Sequence, residues 1–274
     1  MSAARSFVVM DAPGDVLSPS AATTYTNCGA KYYFGRVLKL PDPPTGALVM
    51  GNAVHAAIGE NFRQKIETKR DLPTAGVQAI YLEAWEQLVA GTAPNRSSRP
   101  SLPAEFRDDE NPKELRDEGL ALTLKYLDEA CPSIEPAAVE LPVAGRIAGV
   151  MVRGYIDLLE VNGRVRDLKT AKRTPTDVSA NYRFQVSTYT QLTPYASGDA
   201  CVDTLVKLKT PKLVHLEFKA NEADKAETQA MYPLVQQSIR AGVFLPNRQN
   251  YMCSRKYCGH WRQCEKNFGG KVSE

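Results

Sequence analysis

The sequence predicts an α/β or α+β domain with an N-terminal helical layer. Three observations lead there. Helix-forming stretches fill most of the first half of the chain. From Val139 to Thr170 the pattern turns strand-like. A helix, two short strands and a further helix then follow. Helices first, then strands interleaved with helices, read as a mixed sheet covered by helices. At 274 residues the chain is long enough to bury a full core.

The elements follow in order. Residues 1–17 form an irregular leader. Ser18 is an N-cap type and Pro19 suits the first helical position, so a helix is expected over Ala21 to Arg36 with Cys28 inside it. The stretch PDPPTG (41–46) ends it, and a second helix is expected from near Gly51. Two more helical segments cover about 74–90 and 113–130, separated by a polar loop rich in proline. Strands are expected within 139–170, a helix at 177–196, strands at 202–208 and 213–218, and a helix at 221–241. The resulting regions are 1–17, a helical region 18–135 carrying Cys28 and His55, a core 136–245, and a cysteine-rich segment 246–274 packed on the same domain.

Charge gives a local signal only. The formal net charge is +3, but residues 248–274 carry six Lys or Arg against Glu265 and Glu274. That excess suits phosphate and equally suits a solvated tail. No apolar run approaches the about 18 residues of a membrane span. The N-terminus lacks the apolar stretch of about 7–15 residues found in a secretory signal, so a cytoplasmic location and no membrane partner are expected. In that compartment the six cysteines are expected as thiols or ligands rather than disulfides.

The segment GYIDLLEVNGRVRDLKTAK, residues 154–172, reads as a hairpin turning at Asn162-Gly163. The loop length decides its chemistry. A two-residue loop would pair Asp157 with Leu168 and send Asp157 and Asp167 to opposite faces. A three-residue loop, with Gly163 in the left-handed position of a bulged turn, sets Asp157 opposite Asp167. Lys169, two residues on, then shares their face. Two opposed carboxylates repel unless a cation sits between them, and oxygen donors of this kind suit Mg²⁺ or Mn²⁺. The bulged register is the expected one. The alternating charges also fit a solvated face, and His55, among alanines, also fits a core position.

These residues resemble the PD-(D/E)XK nuclease superfamily in its RecB-like branch. GNAVHAAIGENF resembles the family's first motif, Glu140 in AVELPV an acid preceding the hairpin, GYIDLLEVNGRVRDLKT the paired strands G-x-x-D and D-x-K-T, and YRFQVSTY the Q-x-x-x-Y motif. The resemblance implies a restriction-endonuclease-like core with a central mixed sheet flanked by helices. It implies Asp157 and Asp167 as metal ligands, Glu140 as a further acid there, Lys169 as the catalytic lysine, and His55 as a ligand or a contact to the attacking water. Gln185 and Tyr189, four apart on a helix, would lie beside the site. Glu60 follows His55 by five residues, where the family places an acid after three or four.

The tail reads CSRKYCGHWRQC, with Cys253, Cys258 and Cys264, and Cys28 stands far upstream. One cysteine before the core and three after it resemble the nucleases of the AddB and CRISPR-adaptation type, which implies a [4Fe–4S] cluster. Zinc is the competing occupant, with His260 inside the set. Cys131 and Cys201 are expected as inert buried thiols.

The function so implied is Mg²⁺- or Mn²⁺-dependent hydrolysis of DNA phosphodiesters, as an exonuclease on single-stranded or end-containing DNA in recombination, repair or phage DNA processing. No G-x-x-x-x-G-K-[ST] motif is present, so a helicase or recombination protein would be a separate partner. The rival reading is a non-cleaving DNA-binding module or a subunit that needs such a partner.

Overall fold

The computed structural model describes residues 12–93 and 102–274. Residues 1–11 of the expected leader and 94–101 of the expected polar loop lie outside the described residues. The chain divides into two compact units. One comprises Met1–Leu40, Ala144–Arg153 and Glu227–Glu274; the other comprises Pro41–Val143 and Gly154–Ala226.

The second unit begins with three helices, α3 (Gly46–Thr68), α4 (Thr74–Ala90) and α5 (Pro112–Glu129). In α3, Val49, Met50, Ala53, Val54, Ala57 and Ile58 recur at helical spacing and are buried. They join Tyr81 and Trp85 of α4, Leu122 and Tyr126 of α5, and Leu158, Leu168 and Leu205 of the strands in one core. Gly119 permits this closeness: a Cβ there would sit 2.1 Å from the Tyr81 hydroxyl and 2.5 Å from Met50 Cγ. Asn111 caps α5, accepting from Lys113 N at 3.0 Å, with Pro112 at the first turn.

The strands follow as β2 (Pro136–Ile147), β3 (Val150–Glu160), β4 (Val165–Ala171), β5 (Asp199–Val206) and β6 (Lys212–Lys219). β2 pairs with β3, and β3 runs antiparallel to β4. β4 and β5 are parallel, joined through α6 (Ala180–Leu192), and β6 returns antiparallel to β5. The parallel pair needs that crossover helix. Val186 and Tyr189 of α6 bury with Leu159, Val165 and Ala200 on the sheet face away from α3.

In the first unit, β1 (Val16–Leu17) lies parallel to Met151 and Val152. α1 (Pro19–Asn27) starts at the expected cap, Ser18 Oγ accepting from Ala21 N at 3.1 Å. The continuous helix expected through Arg36 is not formed. Cys28 adopts φ −165°, ψ 104° between α1 and α2 (Gly29–Tyr32), and a π-turn over Tyr33–Val37 follows. Gly29 gives the break its physical basis: a Cβ there would meet the Leu245 backbone at 3.0 Å. α7 (Glu222–Arg240) enters this unit and α8 (Trp261–Phe268) closes it.

Other boundaries shift by a few residues. The second helix starts at Gly46 rather than Gly51, and the β region at Pro136 rather than Val139. α6 spans 180–192 where 177–196 was expected. Among the described residues, no helix is long and apolar enough to cross a membrane.

Candidate active site

The hairpin between β3 and β4 closes through a three-residue loop. Glu160 N donates to Arg164 O at 3.0 Å, and Gly163 N donates to Glu160 O at 2.9 Å. Asn162 Oδ1 accepts from Arg164 N at 2.9 Å. Gly163 has φ +82°, and a Cβ there would stand 2.8 Å from the Tyr195 carbonyl oxygen. Leu158 therefore pairs with Arg166 and Leu159 with Val165. One step further along this register puts Asp157 opposite Asp167, where Cβ atoms stand about 4.5–5.5 Å apart. The two-residue alternative, which separates the aspartates, is not adopted.

Asp167 is 5% exposed. Burial pushes its carboxyl up to about 7, with Asp157 adding to the rise and Lys169 opposing it. Lys169 Nζ donates to Asp167 Oδ1 at 2.9 Å. It also lies 2.8 Å from Oδ2 as an ion pair, while Oδ2 is buried and accepts no hydrogen bond. Burial alone would lower the Lys169 ammonium; Asp167 and Asp157 outweigh it, and the group is held above its ordinary range. Its Nζ stands 5.5 Å from the centre of the Tyr182 ring.

α6 brings the other predicted pair. Gln185 Nε2 donates to the Tyr189 hydroxyl at 3.0 Å and reaches Asp167 Oδ1 at 3.5 Å. The Tyr189 hydroxyl donates to the Tyr155 carbonyl at 2.6 Å. Tyr189 thus ties α6 to β3 just before Asp157, and Gln185 touches the Asp167 carboxylate.

α3 supplies His55, whose Nδ1 lies 3.8 Å from Asp157 Oδ2. His55, Asp157 and Glu140 line one small cleft with Arg166. Glu140 has φ +55°, a strained conformation for a residue with a side chain. Its Oε2 accepts from Arg63 Nη2 at 2.7 Å, while Arg63 Nη1 reaches Glu60 Oε2 at 3.0 Å. Glu60 therefore pairs with an arginine on its own helix, and Arg63 fastens Glu140.

The sequence model of the PD-(D/E)XK nuclease superfamily matches residues 16–265. The chain belongs to the PD-(D/E)XK nuclease superfamily. No curated protein matches it. Among solved structures, a Eubacterium rectale protein described as "Putative exonuclease" is similar over 100% of this chain and 96% of its own, at 12% identity and TM-score 0.58. SSO0001 shares 13% identity over 88% of this chain and 95% of its own, at TM-score 0.36, too loose to inform the comparison. The first likeness supports the fold. The mixed sheet flanked by helices is that of a PD-(D/E)XK nuclease, a family that works with divalent metals.

This PD-(D/E)XK chain also gathers its four spaced cysteines within the first unit. Cys264 is buried with Ala30 and Phe34, and Cys28 packs against them. Burial raises the thiols of Cys253, Cys258 and Cys264. Every pair among the four is close enough to repel as thiolates. The His260 backbone N–H donates toward Cys258 sulfur. The His260 ring is buried instead against Phe34, 5.9 Å between centres.

Sequence reasoning missed a buried network behind the site. Asp203 on β5 is fully buried. It accepts from Arg166 Nη1 at 2.9 and 2.8 Å, from the Tyr126 hydroxyl at 2.5 Å, and lies 2.6 Å from His215 Nδ1. Arg166 Nε also donates to Glu160 at 3.0 Å. Cys201, Asp203 and His215 offer donor atoms within 4.8 Å of one another. Arg166 already supplies the positive charge there, so the cluster reads as structural. The only available sequence signal was alternation: Arg166 must face away from Asp167.

Proposed function

We propose that this chain is a Mg²⁺- or Mn²⁺-dependent deoxyribonuclease that removes nucleotides from DNA ends. The observation that carries the reading is the buried Asp167 Oδ2, which accepts no hydrogen bond, beside an opposed Asp157. Buried carboxylate oxygens are rarely left so. A hard divalent cation takes such oxygens, offsets the burial and the Asp157 repulsion that lift Asp167 to about 7, and is compatible with a nearby imidazole. The donor set therefore fits a cation held by Asp157 and Asp167, with His55 and Glu140 beside it. Such an ion supplies Lewis acidity at a phosphoryl oxygen and a readily ionised water.

The side chains have distinct tasks. Lys169 keeps its ammonium beside Asp167 and offsets negative charge growing on the phosphate. Gln185 orients the Asp167 carboxylate, and Tyr189 fixes β3 through the Tyr155 carbonyl. Arg63 holds Glu140 toward the cleft.

The four cysteines are assigned a [4Fe–4S] cluster. The four thiols lie near one another in the first unit, and the His260 N–H aimed at Cys258 sulfur is the kind of contact that stabilises cluster thiolates. Zinc is the alternative occupant of the same thiols.

The test compares linear single-stranded DNA, labelled at one end, with the same sequence closed into a circle, both with Mn²⁺. The reading expects the linear strand to be shortened and the circle to remain intact. Cleavage of the circle overturns the end requirement. Loss of neither substrate supports the non-cleaving module instead.

A further inference from the structure

We propose that Lys172, Arg173, Lys207, Lys209 and Lys212 form a phosphate rail, a surface that grips the DNA backbone beside the cut. The proposal rests on the deoxyribonuclease reading and extends it from the scissile bond to the flanking strand.

The fold brings these residues together from three segments. β4 ends at Ala171 and continues into Lys172 and Arg173. β5 lies parallel to β4, with Ala171 beside Val206, and continues into Lys207 and Lys209. Lys207 N donates to the Ala171 carbonyl at 2.8 Å, so the two exits stay side by side. β6 begins with Lys212 opposite Val206. Neighbouring strands lie about 4.8 Å apart. Five cations therefore share one end of the sheet.

Two features set this patch apart from an ordinary solvated surface. No acid occurs in 168–176 or 204–214, the stretches that carry it. Among the described residues, none of the five forms an ion pair with a carboxylate. By contrast, the tail places Arg255 near both Glu265 and Glu274. Lys172, Arg173, Lys209 and Lys212 are exposed. Lys207, half-buried, is held below its ordinary range by burial; Glu118 and Glu110 on neighbouring segments act against that shift, and Lys172 and Arg107 add to it. Clustered cations that form no ion pair with a carboxylate suit a polyanion rather than a single small anion.

The rail also starts at the catalytic hairpin. Lys172 is three residues beyond Lys169 on the same chain, about 10 Å along a strand at about 3.3 Å per residue. Phosphates of one duplex strand repeat about every 3.4 Å along the axis. A backbone seated at Lys169 thus passes the rail within a few nucleotides. Lysines and arginine on loops contact phosphates without reading bases, so the grip is independent of sequence.

The experiment uses Arg173→Ala/Lys209→Ala/Lys212→Ala in the full chain. Each binding measurement carries Lys169→Ala as well, to prevent cleavage. Affinity for a fluorescent 20-nucleotide strand is followed by anisotropy from low to high KCl with Mg²⁺ present. Three lost phosphate contacts make the slope of log affinity against log salt shallower by about 2–3 and weaken low-salt binding about tenfold or more. In the background with Lys169 intact, hydrolysis of thymidine 5′-(p-nitrophenyl phosphate), too short to reach the rail, is unchanged. An unchanged salt slope overturns the rail, as does equal loss of the small ester. The tail variant Lys256→Ala/Lys266→Ala/Lys271→Ala is the comparison; if it alone flattens the slope, the grip lies in the tail and the proposal falls. Failure of the parental protein to hydrolyse either substrate would count against the nuclease reading, while the slope would still report on the rail.

Discussion

Asp157 stands across β3 and β4 from Asp167, and the loop of residues 161–163 puts it there. Removing one residue from that loop would carry Asp157 to the other face. Gly163, at φ +82° with the Tyr195 carbonyl close by, is what the loop requires. Gly163→Ala is expected to cost about 2–3 kcal/mol, from left-handed strain and the displaced carbonyl. It should also weaken Mn²⁺ binding, because the carboxylates no longer face each other. Thermal melting and calorimetric Mn²⁺ titration measure the two effects; a variant with lower stability but unchanged Mn²⁺ affinity would separate the loop from the site.

Burial of Asp167, with Asp157 adding to it, sets a pH dependence. Folding raises the Asp167 pKa from its ordinary value of 3.8 to about 7. Its contribution to stability is therefore present below about pH 4 and lost as pH rises through about 7. In the metal-free protein, Asp167→Asn should flatten the melting profile over that window and raise stability at pH 8. It should also abolish stabilisation by Mn²⁺. A Mn²⁺-dependent rise in melting temperature persisting in Asp167→Asn would argue against this carboxylate as a ligand.

The Asp203 network holds β4 from behind. Tyr126→Phe removes one donor and should cost about 1–3 kcal/mol. Asp203→Ala leaves Arg166 buried beside Glu160 alone and should cost about 3–5 kcal/mol. Burial acts to raise the Asp203 carboxyl, but hydrogen bonding from His215 and the Arg166 charge hold it below its ordinary value. That contribution is present above the ordinary carboxylate range and is lost as pH falls through the lowered value. His215 is raised by Asp203, so its share is present below about 6.5 and fades as pH climbs through the raised value. Urea unfolding across pH reads both; equal midpoints for Asp203→Ala and the parent would contradict the account.

The cysteine set predicts a brown protein. Purified without oxygen, it should absorb near 400 nm and carry iron and sulfide, and Cys28→Ser should lower the iron content and the melting temperature together. Zinc at one per chain, with no iron, would replace the cluster.

Much of this was legible in the sequence because the signals were local. Asn162-Gly163 and the spacing of Asp157, Asp167 and Lys169 fixed a hairpin register that the structure adopts. Gln185 and Tyr189 share a face because four residues make about one helical turn. What was missed depends on distant partners. Arg63 reaches Glu140 across 77 positions, and Arg166 meets Asp203 across 37. No periodicity encodes such pairs. Cys28 was read as helical because its neighbours favour helix, whereas the Leu245 backbone packs against Gly29 and an extended residue precedes it.

The central claim is that phosphodiester cleavage depends on the Asp157, Asp167 and Lys169 constellation. The most direct measurement is the rate of shortening of end-labelled DNA in Mn²⁺ by the parent and by Lys169→Ala, with folding checked by circular dichroism. The account predicts that Lys169→Ala, folded and still binding DNA, cleaves slower by about 100-fold or more, as expected for loss of a group that offsets transition-state charge. Cleavage by Lys169→Ala at the parental rate would contradict it.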